Sequence, residues 1–222
     1  MATARARIIW TGTGVFLLIV LLWPFALHST RTGIVGLAAP DTLDSRFFIA
    51  GHIFSNPAIF GHMVLGGLLT VLIPLQIWTA LRKRLPVLHR WSGRVLCACA
   101  VLTGLGGLVF IVLRGTIGGF WMDFGFALYG VLLSLSALQA IRFARARRFA
   151  DHKRWALRLF VLSIGSWLYR VHYGVWYALT GGLASTPTFE GAFDLIQNFA
   201  FYAPYLVGLE LWMRRSHTNI TA

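Results

Sequence analysis

Apolar residues in this chain gather into six long runs, each closed off by charged residues or by Gly, Pro, Asn and Ser. About 20 apolar residues cross a bilayer core of roughly 30 Å, so the runs predict transmembrane helices over Ile8–Leu27, Pro57–Ala80, Val95–Leu113, Phe120–Ile141, Leu157–Thr180 and Ala192–Met213. Short connections leave no room for a second domain, and residues 1–222 read as a single polytopic unit. Asn56 before Pro57 predicts an N-cap and a first helical position, and Pro74 predicts a bend in the second helix. The longest connector, from His28 to Asn56, predicts a short surface helix around Phe47–Phe54.

Between the apolar runs one text recurs. His89-Arg90-Trp91-Ser92-Gly93-Arg94 and His152-Lys153-Arg154-Trp155-Ala156-Leu157-Arg158 share His, Arg, Trp and a later Arg, with one inserted lysine. The pattern predicts a duplicated helix hairpin, 57–113 and 120–180, forming a pseudo-symmetric four-helix core from the second to fifth helices. The helices over 8–27 and 192–213 then pack outside it. Gly66, Gly67, Gly104, Gly107, Gly125 and Gly130 mark close helix contacts. The fold class is all-α and integral to a membrane.

Composition agrees: 57% of the 222 residues are hydrophobic and 12% are charged, with a mean hydropathy of +0.70. The net charge of +13 suggests nucleic acid at first sight. The cations, however, punctuate apolar spans instead of lining a polar face, which argues against a nucleic-acid partner and for a lipid bilayer. On the six-helix topology, sixteen of the twenty Lys and Arg residues fall on one side, among them Arg5, Arg7, Arg82, Arg142, Arg158 and Arg214. By the positive-inside rule both termini face the cytoplasm. Five of the seven acids, Asp41, Asp44, Asp123, Glu190 and Asp194, fall near the outer side. Arg5 and Arg7 precede a run too long for a signal-peptide core, so the first helix reads as retained. Cys97 and Cys99 sit two apart in one run, pointing away from each other, and predict neither a disulfide nor a metal site.

Ionisable groups inside a span are costly and serve as functional candidates. His62 and His172 lie about 8 and 12 Å below the outer surface on the predicted helices. Two imidazoles from different helices at one depth are the arrangement that holds a b-type haem, with the iron on His62 and His172 and with Gly66 leaving room for the macrocycle. Histidines hydrogen-bonding across helices are the second reading of the same pair. His89 and His152, related by the repeat at the cytoplasmic boundary, offer a second haem site or a Trp-Arg interfacial anchor. Arg170, about 15 Å from either end of its helix, needs an anion: a propionate, a quinone or anionic lipid headgroup, Asp123 or Asp194. Glu210 reads as a partner of arginines near the inner face. Without a glycine-rich phosphate loop, HExxH or CxxC, soluble hydrolase chemistry has no basis here. Two functions follow: a transmembrane oxidoreductase carrying electrons on haem b, or a non-redox protein binding or transporting a quinone-like or anionic lipid ligand. An accessory subunit without activity is a third.

An ordered set of motifs adds a resemblance. His62 with Gly66, Pro74-Leu75-Gln76, Leu88-His89-Arg90-Trp91-Ser92-Gly93-Arg94, His152-Lys153-Arg154-Trp155 with Arg158, and Arg170 together resemble the bacterial multi-pass membrane family called domain of unknown function 2306. The resemblance spans about Gly61 to Trp176 and implies residence in a bacterial inner membrane, without implying an activity. Ile73, Ile77 and the extra His172 depart from the family pattern.

Overall fold

The structure, a computed structural model, describes the backbone of residues 2–43 and 45–218 and the side chains of residues 10–43 and 45–215. The side chains of Arg5 and Arg7, and Asp44 as a whole, lie outside the described residues. All regular structure among the described residues is helical: α1 (Ala2–Ala38), a single 3-10 turn at Pro40–Thr42, α2 (Ser55–Leu72), α3 (Pro74–Ile77), α4 (Thr79–Arg84), α5 (Pro86–Arg114), α6 (Gly119–Arg145), α7 (Phe149–Ser163), α8 (Gly165–Thr180), α9 (Ala192–Ala200) and α10 (Ala203–Thr218). Among the described residues four stretches are long and apolar enough to cross a membrane: Trp10–Ala38, Ser55–Ile77, Pro86–Arg114 and Gly119–Arg145.

The fifth and sixth apolar runs are each built from two helices. α7 passes into α8 through Ile164 (φ −96°, ψ −2°), and α9 passes into α10 through Phe201 and Tyr202. The second run does not break at Pro74, because Ile73 keeps helical angles; the chain turns at Trp78 (φ −70°, ψ 111°). Proline removes a donor but tolerates a first helical position, which is where α3 places it.

Successive helices pack side by side and alternate in direction. Ser29 Oγ of α1 donates to Met63 O of α2 (2.9 Å), and further along α1 Gly36 lies against Phe60, earlier in α2. Between α5 and α6 the contact is similarly close, since a Cβ at Gly104 would meet Gly130 O at 2.7 Å. Small residues let two backbones approach where lipid supplies no hydrophobic drive. Each glycine named above has a neighbour across a helix interface, from α1 against Gly67 to Asn198 against Gly125. The alternation brings the cationic stretches near 82–94 and 142–158 to one end, and Arg158 meets Glu210 of α10 there.

The main core joins Leu69 and Ile73 with Leu96, Ala100, Tyr129, Leu133, Leu159 and Leu162, and it also takes in Phe201 and Tyr202. The last segment therefore enters the core instead of only wrapping it, because the break between α9 and α10 turns two aromatic rings inward. The two segments predicted as a duplicated hairpin differ in plan. The first hairpin interrupts its first member, at Trp78, and the second interrupts its second, at Ile164.

Three local expectations are corrected. The His-Arg-Trp tracts, placed by the sequence between the apolar runs, are themselves helical and open α5 and α7. Asn56 does not cap α2: its side chain folds back to pair with Ile49, with Nδ2 donating to Ile49 O at 2.7 Å. Residues 47–54 form turns and no helix; Arg114 holds their start by donating to Phe47 O (2.6 Å) and Arg46 O (3.0 Å).

Candidate functional site

Arg170 sits in the second turn of α8, and its surroundings are unusual for a charge in an apolar bundle. One guanidinium nitrogen donates to Ser166 O (2.8 Å), and the group lies 4.6 Å from the centroid of the Phe25 ring on α1. His62, Tyr129 and Tyr169 are within reach of its charge. Arg170 is exposed at the surface of the protein. Among the described residues no carboxylate forms an ion pair with it. The acids expected to reach it are engaged elsewhere. Asp123 accepts from Thr116 N (2.6 Å). Asp194, fully buried, accepts from Tyr173 (2.7 Å), Ser185 (2.8 Å), Thr186 N (2.9 Å) and Gly191 N (3.0 Å). These bonds tie the 181–191 loop to α9 and leave the carboxylate no spare donor to seek.

His62 lies between α2 and α5, where Nδ1 meets Thr103 O at 2.8 Å. A carbonyl only accepts, so Nδ1 carries the proton and Nε2 is the acceptor of the neutral ring. Glycines on α5 allow the approach: a Cβ at Gly107 would stand 3.2 Å from that Nδ1. His172 has different partners on different helices. Its Nδ1 bonds the Gln197 amide (3.0 Å to Nε2), its Nε2 bonds Tyr205 Oη (2.7 Å), and its ring stacks on Tyr205. The space beside Gly66 is taken by the Thr103 methyl, 3.3 Å from an added Cβ. With both nitrogens of His172 engaged and Gly66 covered, this pair does not fit axial haem ligation; each ring ties helices together.

The histidines of the two basic tracts behave otherwise. His152 Nδ1 bonds Ala140 O at 2.9 Å across the α6–α7 turn. The repeat places Ile77 where Ala140 stands, but the chain turns away there at Trp78, and His89 Nδ1 is buried without a partner. His89 and His152 are within range of each other's charge, with Arg82 nearby. No group of three or more His, Cys, Asp or Glu suited to a metal ion exists among the described residues.

Glu210 meets its expectation, accepting from Arg158 Nε (2.6 Å) and Nη2 (2.9 Å), with that guanidinium 4.5 Å over Trp155. Sequence reasoning missed Gln197, Tyr205, Tyr129 and Thr70. The amide pair Gln197-Asn198 inside an apolar run was the available signal for Gln197; the hydroxyls carried none.

Fold and site together define a polytopic α-helical membrane protein whose α8 carries an arginine with no carboxylate partner among the described residues. The chain belongs to the family described as "Predicted membrane protein (DUF2306)", which it matches over residues 59–212. No curated protein and no solved structure matches it.

Proposed function

We propose that this protein holds an anionic or quinone-like ligand within the membrane, with Arg170 as the binding group. The carrying observation is a guanidinium that meets a backbone carbonyl and an aromatic face and, among the described residues, no carboxylate, while Asp123 and Asp194 are engaged elsewhere. A cation costs about 2.5–3.5 kcal/mol or more at the centre of a transmembrane helix, so one without a counter-charge favours an incoming acceptor. His62 Nε2 and the tyrosine rings around Arg170 suit a ligand with a polar head and an apolar body. The chain crosses the membrane six times, with its cationic end and both termini in the cytoplasm of a bacterial cell. The broken α7–α8 and α9–α10 segments supply the last two crossings.

The test is thermal unfolding of the purified protein with a short-chain ubiquinone and, separately, with oleate. One of the two raises the melting temperature of wild type, and Arg170→Leu loses that shift while keeping its ligand-free melt. An equal shift in the variant overturns the reading.

A second reading keeps haem b, now on His89 and His152. It is favoured by the unpartnered His89 Nδ1 and by the backbone carbonyl that orients His152, as outer-shell acceptors orient metal-bound imidazoles. Haem would supply one-electron chemistry there. A flat reduced-minus-oxidised spectrum from a haem-replete preparation ends it.

A further inference from the structure

The two basic tracts of the repeat differ in what their cations hold. Around α7, Arg148 and Arg154 share Asp151 at 2.7 and 3.9 Å, and Arg158 pairs with Glu210 at 2.6 Å. From Arg82 to Arg94 there are five cations, Arg82, Lys83, Arg84, Arg90 and Arg94, and no acid. None of the five forms an ion pair among the described residues.

At the same place the apolar side chains are uncovered. Arg84, Leu85, Pro86, Val87, Leu88 and Trp91 line a cleft at the start of α5. Leu85, Val87, Leu88 and Trp91 are 52%, 57%, 52% and 61% exposed. Arg94 lies 4.9 Å over the Trp91 ring, which brings a second guanidinium to the rim. An apolar cleft open to water is unfavourable, whereas one at the headgroup level of a bilayer meets acyl chain on its floor and phosphate at its edge. Charge complementarity selects the occupant. A guanidinium fork matches a phosphodiester in shape and sign, and no protein carboxylate competes for it.

We propose that the Arg84–Trp91 cleft seats one anionic phospholipid, with Arg84 and Arg94 on its phosphate and with Leu85, Leu88 and Trp91 along the first part of its acyl chains. The seat is separate from the Arg170 region, and neither reading depends on the other. The second basic tract, where Arg148, Arg154 and Arg158 each have a carboxylate, is the built-in comparison.

The test uses the full chain in detergent with added phosphatidylglycerol, phosphatidylcholine or inorganic phosphate, read by native mass spectrometry and by melting temperature. Wild type retains phosphatidylglycerol over phosphatidylcholine. The double variant Arg84→Gln/Arg94→Gln loses roughly thirtyfold in that preference, about fivefold for each guanidinium. Arg148→Gln retains it. An equal loss in Arg148→Gln, or no loss in the double variant, overturns the seat in favour of diffuse charge attraction. Stabilisation by inorganic phosphate alone overturns the lipid as its source. Should the double variant not fold, brominated phosphatidylglycerol decides: it quenches wild type more than Trp91→Phe, and by more than brominated phosphatidylcholine does. Equal quenching by the two lipids, or in the two proteins, counts against the seat.

Discussion

Thr70 Oγ1 on α2 lies 2.8 Å from Ser163 O at the end of α7, 93 residues away inside the buried core, and 2.8 Å from Gly66 O one turn back in α2, so its one hydroxyl proton is shared between the two carbonyls. The bond exists because the helix breaks there. Trp167 N turns to Ile164 O (3.1 Å), so Ser163 O loses its helical donor, and Thr70 replaces it. The Tyr129 hydroxyl does the same for Leu162 O. A buried carbonyl left unpaired costs about 1–3 kcal/mol, so the α7–α8 break depends on side chains from α2 and α6.

Thr70→Val keeps the shape and removes that donor. We expect a loss of about 1 kcal/mol in stability, in the range of hydroxyl bonds between membrane helices, with Thr70→Ser close to wild type. Thermal unfolding in detergent measures it, and equal melts for Val and wild type would show the bond to be idle.

Gly165→Ala places a Cβ 2.9 Å from Tyr129 Cε2, beside the ring whose hydroxyl serves Leu162. The ring must shift, at a cost of about 1–3 kcal/mol. In the background Tyr129→Ala the same substitution becomes nearly neutral. A double-mutant cycle checks this, and additive losses would argue against the coupling.

Arg158 and Glu210 form a two-pronged pair whose side chains are 21% and 37% exposed. Partial exposure screens them, so a cycle of Arg158→Met and Glu210→Gln gives a coupling of about 0.5–1 kcal/mol that shrinks in high salt. A coupling of several kcal/mol would mean the end of α10 is drier in the membrane than these exposures imply.

Orientation is open to a labelling test. With Cys97 and Cys99 changed to Ala, a membrane-impermeant maleimide added to intact cells should modify Thr188→Cys and spare Arg147→Cys. Both positions are exposed, so reactivity reports side and not burial. The reverse pattern would invert the proposed topology.

Sequence alone determined where the apolar runs lie, that the elements are helices, which glycines sit at interfaces and that Arg158 and Glu210 belong near one face. Helix length, hydropathy and residue size are local properties, and the bilayer makes them decisive because it demands internally satisfied backbone. Tertiary structure decided where those runs break and what each polar group meets. No proline marks Ile164, and hydropathy averages over a broken helix as it does over a straight one. The interruption is tolerable only because Thr70 and Tyr129 arrive from distant helices to bond the freed carbonyls. The same holds for the histidines: shared depth suggested one site for His62 and His172, but depth is one coordinate. The direction each helix faces gave His62 to Thr103 and His172 to Gln197 and Tyr205, leaving Arg170 without an acid.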